Sequence, residues 1–422
     1  MAVGKSTFPR LPGVPGFRLG TTEAGIKTPN RKDLVVMECA AGSSIAGVFT
    51  RNAFCAAPVQ VTKAHMMTLH QGGLPGQPSP GPYYFVINTG NANAGTGAQG
   101  RVDASAVCEC VASLTGVEVE QVLPFSTGVI GEPLPLDTIK SGLPAAIGDL
   151  DQDGWKDAAE GILTTDTRPK GAFRNIEVGG IPVTVAGISK GSGMIKPDMA
   201  TMLAFVVTDA DIPQSVLNEL IVEASGRSFN RITIDGDTST NDCAMLVATG
   251  KSGARVAPEG VLTENDEVLR RAIIEVCEEL AQAIVRDGEG ATKFVTIKVS
   301  GGISSQECLD VAYTVAESPL VKTALFASDP NWGRILAAIG RADISDLDVD
   351  RVRICLDEVL IAEGGGRAAN YTEAAGQAVM DQDDILIHID LGRKHGESAC
   401  EEVVWASDLS HEYIRINAEY RT

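Results

Sequence analysis

The stretch KGSGMIKPDMATMLAFVV, residues 190–207, decides how the rest of the chain is read. Gly191, Gly193 and Pro197 stand close together and favour sharp, irregular backbone over the interior of a helix or strand. Ala200 and Thr201 then open an apolar run, Met202 to Val207, that ends at Thr208 and Asp209. The run is short and closes on Val-Val, which predicts a buried strand, although its pattern alone leaves a buried helix open. Thr201 sits where a tight turn meets a buried element, so its hydroxyl is held in a fixed direction. Taken alone it reads as a β-favouring residue opening a strand; only its surroundings argue for more.

Working outward, 422 residues exceed a typical single domain and predict two or three structural units. A hydrophobic content of 44% with 21% charged residues is that of a globular chain with a large core. The net charge of −20 argues against a nucleic-acid partner, whose backbone requires concentrated Lys and Arg, but leaves small anionic ligands open. The nine cysteines lack zinc-site spacing. In a helix over residues 104–114, Cys110 shares a buried face with Val107, so core thiols are expected and the cysteines are read as reduced and cytosolic. The opening MAVGKSTFPRLPGVPGF has no uninterrupted apolar segment, so no signal peptide is expected, and no stretch approaches a membrane span.

Strands are predicted at 33–37, 44–50 and 83–88, the last emptying into NTGNANAGTGAQG, residues 88–100. That loop is rich in amides and could cradle an anion or serve only as a turn; it matches no P-loop or dinucleotide fingerprint. Residues 125–135, FSTGVIGEPLP, read as a tight polar loop in which a Thr-Gly pair can aim a hydroxyl and an unobstructed N–H at one point. A hairpin is expected over 175–188, turning at Gly179-Gly180, and an amphipathic helix over 213–225. A long helix over 264–286 is predicted to face Val268, Leu269, Ala272, Ile273, Val276, Leu280 and Ile284 to the core and to end at Gly288. Further strands are predicted at 294–299, 351–356, 384–390 and 413–418, with a helix at 320–326. The irregular alternation favours an α/β or α+β sandwich over a doubly wound parallel sheet.

Of the five histidines, His388 lies in an apolar strand pattern and reads as structural. No H-E-x-x-H is present and no histidine borders a glycine-flanked serine, so a nucleophile here would use a base other than histidine. An N-terminal threonine supplies its own: an α-amine of pKa about 7.7–8.0 is substantially neutral near physiological pH. For Thr201 this requires cleavage of the Ala200–Thr201 bond.

The segment GMIKPDMATML, residues 193–203, resembles the autocleavage motif of the ornithine acetyltransferase (glutamate N-acetyltransferase) family. The likeness continues in order through RKDLVVM, AAPVQVTK, NTGNANAGTG, FSTGVIGEPLP, TTDT-x-PK, GISKGSGMI, NDC, DGEGATK, DPNWGR and the closing INAEYRT. Ser407 and Thr89 are minor departures. The resemblance implies an αββα sandwich of the kind shared with self-processing aminopeptidases. It implies self-cleavage into an α chain, residues 1–200, and a β chain, residues 201–422, assembled as two of each. Thr201 becomes the nucleophile, and Thr127 with Gly128 forms the oxyanion hole. Thr164, Lys190, Thr201, Glu289, Asn417 and Thr422 bind substrate, Lys190 suiting an α-carboxylate and Glu289 an amino group of ornithine. The implied reaction moves an acetyl group from N2-acetyl-L-ornithine to L-glutamate in cytoplasmic arginine biosynthesis. It requires no metal or organic cofactor, and acetyl-CoA is an alternative donor in some relatives. The competing expectation is a self-processing N-terminal-nucleophile aminopeptidase or amidohydrolase, in which water resolves the acyl-enzyme.

Overall fold

In the computed structural model of the protein, residues 2–4, 7–71, 81–196, 202–257, 263–394, 396 and 399–419 are described. The chain runs β1 (Phe17–Thr22), β2 (Leu34–Cys39), β3 (Ser44–Phe49), α1 (Ala57–Gln71), β4 (Tyr83–Asn91), α2 (Gly97–Thr115), β5 (Val122–Val129), α3 (Leu136–Gly148), α4 (Trp155–Gly161), β6 (Lys170–Val178) and β7 (Ile181–Lys190). It continues through β8 (Leu203–Thr208), α5 (Gln214–Arg227), β9 (Ile232–Thr233), β10 (Cys243–Ala248), α6 (Glu264–Arg286), β11 (Phe294–Gly302), α7 (Ser305–Ala316), α8 (Pro319–Phe326) and α9 (Trp332–Gly340). Then come β12 (Arg353–Leu356), β13 (Val359–Glu363), β14 (Gly366–Arg367), α10 (Glu373–Met380), β15 (Asp384–Asp390), β16 (Cys400–Ser407) and α11 (His411–Ala418).

Strand β8 accounts for the apolar run after Thr201. Side chains alternate along a strand, so an unbroken apolar stretch requires cover on both faces. Leu203, Phe205 and Val207 point into one core, while Ala204 and Val206 point into another, and every residue of β8 is buried. β8 lies in the five-stranded sheet β3-β10-β8-β7-β6, parallel to β10 and antiparallel to β7. Its inner face meets the four-stranded sheet β1-β2-β4-β5, in which β4 and β5 are parallel. Phe125 crosses this seam, edge-on to Phe205 at 5.2 Å and to Phe85 at 5.6 Å. Full burial of each ring stabilises the fold by about 1.5–3 kcal/mol.

Helices cover both outer faces. α2 and α3 bring Val107, Val111, Ile139 and Leu143 onto Leu34, Val36 and Val86. α5 and α6 bring Leu217, Ile221, Leu269, Ile273 and Leu280 onto the outer side of β8 and β10. The order helix, sheet, sheet, helix is the αββα sandwich. A third sheet, β14-β13-β12-β15-β11-β16-β9, carries α7 to α10 on one side. Phe294 and Trp405 join it to the sandwich core.

Several local expectations are corrected. Residues 125–129 belong to strand β5, not to a loop. The polar residues that suggested a turn are satisfied across the parallel β4 ladder, with Ser126 Oγ donating to Asn88 Oδ1 at 2.5 Å. Residues 413–418 form part of helix α11 rather than a strand. Tyr-Ile-Arg-Ile mimics β alternation, but Ser410 caps a helix by accepting from the Tyr413 amide. Helices α7 and α9 were not foreseen. Val268 on α6 is 39% exposed rather than core, because the buried stripe runs through Leu269, Ala272 and Val276. Asp287, not Gly288, caps α6, and the left-handed backbone falls on Gly290. Cys108 takes the fully buried position in α2, while Cys110 is only partly covered; no described cysteine is paired. His388 lies in β15, with Nε2 2.9 Å from Ser300 Oγ, in keeping with a structural role. No described helix is long and apolar enough to cross a membrane.

Candidate active site

A cavity of about 230 Å³ opens where β5, β7 and the end of α6 converge, and Thr127, Gly128, Thr164, Lys190, Glu289 and Asn417 all line it. These residues come from five separate elements and loops of the chain. Ala200, Thr201 and Thr422 lie outside the described residues. The Met202 carbonyl accepts from the Cys243 amide at 2.8 Å, which anchors the start of β8 beside β10.

Thr127 and Gly128 are held by the strand pairing of β5 with β4, Thr127 opposite Thr89 and Gly128 opposite Gly90. Gly128 has φ of +135°, and a Cβ there would lie 2.3 Å from the Gly90 carbonyl carbon. No larger residue fits. The asparagine-rich loop serves this corner as a scaffold. The Asn88 amide donates to the Asn91 carbonyl at 2.8 Å, Asn91 to the carbonyls of Glu132 and Pro133, and Asn93 to Gly100 at 2.9 Å. These side-chain amides are spent on backbone, so they cradle no anion; of this loop, Ala92 lines the cavity.

Lys190 ends β7, and its Nζ donates to Thr164 Oγ1 at 3.3 Å. Burial lowers its pKa, opposed by the nearby carboxylates of Asp166 and Asp242. Asp242 is itself buried, and desolvation raises its pKa well above the usual carboxylate range despite Lys190 and Ser239. Its Oδ2 has no hydrogen-bond partner among the described residues.

Glu289 follows α6, and its amide donates to the Ser192 carbonyl at 2.7 Å. Its carboxylate accepts from Asn417 Nδ2 at 2.7 Å and packs on Gly193, where a Cβ would come within 2.5 Å of the carboxyl carbon. The C-terminal segment thus folds back as α11 and delivers Asn417. Tyr413, one turn earlier, donates from its hydroxyl to Asp235 at 3.2 Å. Asp235 also accepts from the amides of Met194 at 2.6 Å and Ile195 at 2.9 Å, tying α11 to the loop before the proposed cut.

Beneath the cavity, Lys170 Nζ donates to Asp166 at 2.5 Å and to Asp287 at 2.7 Å, all three side chains being buried. Asp166 also accepts from the Gly191 amide at 2.7 Å. Burial opposes ionisation of Asp166, yet the charges of Lys170 and Lys190 and that amide hold its carboxyl well below the usual range. A carboxylate so depressed contributes stability above its unfolded pKa of about 3.9, lost only as the pH falls through the lower folded value. Lys170→Met strands two buried carboxylates and is expected to destabilise the protein by about 3–5 kcal/mol, read as a lower urea midpoint. Asp166, Lys170, Asp235, Asp242 and Asp287 were not singled out in the sequence. Asp166 in TTDT and Asp242 in NDC lie inside segments that were, but a lone acid gives no sign that it will be buried beside a lysine. Thr165, Met194, Ser239 and Asn241 also line the cavity unforeseen. Among the described residues no group of His, Cys, Asp or Glu is arranged to hold a metal ion.

An αββα sandwich whose cleft gathers a Thr-Gly pair, a lysine and a glutamate beside a glycine-rich strand entry defines a class of sandwich proteins built around that entry. The chain belongs to the ArgJ family, which it matches over residues 18–422. It is 58% identical over 424 residues to the arginine biosynthesis bifunctional protein ArgJ of Pseudomonas syringae pv. tomato, with 100% of each chain covered. The ArgJ protein of Pseudomonas fluorescens is 57% identical, again with 100% of each chain covered. Among solved structures, ArgJ of Bacillus halodurans matches at 34% identity and a TM-score of 0.47, covering 51% of this chain and 97% of that one. An ornithine acetyltransferase from Mycobacterium tuberculosis complexed with ornithine matches at 30% identity and a TM-score of 0.36, covering 44% and 96%.

Proposed function

We propose that the protein is a self-cleaving acetyltransferase of arginine biosynthesis that moves the acetyl group of N2-acetyl-L-ornithine to L-glutamate through an acetyl-threonine. The observation that carries this reading is the convergence of Thr127, Gly128, Thr164, Lys190, Glu289 and Asn417 on one cavity, within a chain nearly three-fifths identical to ArgJ proteins throughout its length. In the maturation step, the Thr201 hydroxyl attacks the Ala200 carbonyl. The peptide nitrogen leaves as the threonine amine, and water hydrolyses the resulting ester. β7 and β8 pair directly across this cut, Lys190 opposite Leu203, so the α and β chains remain one sandwich after scission.

In turnover, the freed amine takes the proton of its own hydroxyl and the oxygen attacks the acetyl carbonyl. Thr127 and Gly128 stabilise the oxyanion, a contribution of about 3–4 kcal/mol per donor in comparable sites. Lys190 holds the α-carboxylate, and Glu289, braced by Asn417, holds the side-chain ammonium of ornithine. Thr164 and Thr422 complete the substrate contacts. Ornithine leaves, glutamate accepts the acetyl group, and no cofactor is consumed; acetyl-CoA is the alternative donor. Two α and two β chains acting in the cytoplasm complete the proposal.

Intact-mass analysis together with initial rates from acetylornithine, with and without glutamate, tests it. Two chains and glutamate-dependent ornithine release are the expected result; acetate release that ignores glutamate assigns a hydrolase instead. Glu289→Gln is expected to raise the KM for acetylornithine by about tenfold or more, since a charge-assisted hydrogen bond is lost.

A further inference from the structure

Beside the cavity already described lies a second, of about 250 Å³, and the two share Gly128, Val129, Thr164 and Thr165 as a common wall. The neighbour is lined by Lys27 and Arg31. Its carboxylate among the described residues is Asp33, which is 2% exposed and already accepts the amides of Ala24 at 2.7 Å and Ile26 at 2.6 Å. Arg31 donates through Nη2 to the carbonyls of Leu163 and Thr164, and no carboxylate pairs with it among the described residues. The guanidinium is thereby held against Thr164, a residue of both cavities. Glu289 lines only the first.

This difference in charge meets a problem set by the proposed reaction, on which the inference rests. Donor and acceptor share their α-groups but carry side chains of opposite sign. A buried carboxylate such as Glu289, which attracts the ornithine ammonium, repels the γ-carboxylate of glutamate. One lobe therefore serves one partner only. We propose that the two cavities form a single site with two side-chain lobes: ornithine extends its ammonium toward Glu289, and glutamate turns its γ-carboxylate across the shared wall toward Arg31 and Lys27. A planar guanidinium suits a carboxylate, and Lys27 adds a second charge.

The test uses the full chain carrying Arg31→Gln, Lys27→Gln or Arg31→Lys, each checked for self-cleavage by intact mass. Two reactions are compared: exchange of labelled ornithine into acetylornithine, which needs no glutamate, and transfer to glutamate. Arg31→Gln is expected to raise the glutamate KM about tenfold or more while leaving exchange nearly unchanged, and Arg31→Lys to recover much of the loss. Lys27→Gln shifts the same constant by a smaller factor, and supplies the test should Arg31→Gln fail to mature. Equal losses in both reactions, or an unmoved glutamate KM beside normal exchange, overturn the lobe assignment alone. A rise confined to the KM for acetyl-CoA also overturns it, giving the lobe to the phosphates of an acyl carrier. Absence of exchange in the unmodified protein overturns the underlying reaction instead.

Discussion

A Thr201→Ala protein is expected to run as one 44.2 kDa band on a denaturing gel and to transfer no acetyl group. The substitution removes a single oxygen-bearing group with two proposed tasks. Without the hydroxyl nothing attacks the Ala200 carbonyl, so residues 1–200 and 201–422 stay joined. Without scission the α-amine that would serve as base remains locked in an amide, which has no basic lone pair at neutral pH. Loss of nucleophile and base together is expected to lower kcat about 10⁴-fold or more, as when members of a catalytic unit are removed. Thr201→Ser retains the oxygen and is expected to be cut and to turn over. Cleavage of the alanine variant at the same bond, seen by intact mass, removes the proposed role of Thr201.

Gly128→Ala is expected to lower kcat by about 10²–10³-fold, with a smaller change in KM. The added methyl would stand 2.3 Å from the Gly90 carbonyl carbon and 2.6 Å from the Asn91 amide, both backbone atoms. Neither can rotate away, so β5 must shift against β4, and with it the Thr127–Gly128 donors. A displacement of that order is large against the tolerance of an oxyanion site, whose donors act over 2.7–3.1 Å. The φ of +135° adds strain for any residue with a Cβ. Attack on the Ala200 carbonyl also builds an oxyanion, and if the same pair serves it, cleavage is expected to slow as well. A time course of scission and steady-state rates on the matured fraction separate the two effects; an unaltered kcat removes the pair from the oxyanion role.

The cleft was legible to different degrees. The apolar run after Thr201, the Gly179-Gly180 hairpin and the long helix α6 stand where pattern placed them, because each is a local period answering to one or two covered faces. The FSTG segment and the YIRIN segment were misread for one shared reason. Their conformations depend on partners far along the chain: Asn88 for Ser126, and Asp235 with Glu289 for the face of α11 that carries Tyr413 and Asn417.

The ordered motifs along the chain carried its family likeness, and that resemblance implied the αββα class and the six cavity residues that the structure describes, while hydrophobic periods placed the individual elements. Tertiary structure alone decided that Lys170 would be buried between Asp166 and Asp287, that the asparagine amides would be spent on backbone, and that a cationic lobe would lie against the Thr164 wall. Charge pairing, desolvation and cavity shape act through space, and the pairings of Lys170 with Asp287 and of Arg31 with Thr164 each join residues more than a hundred positions apart. No linear reading reaches that distance.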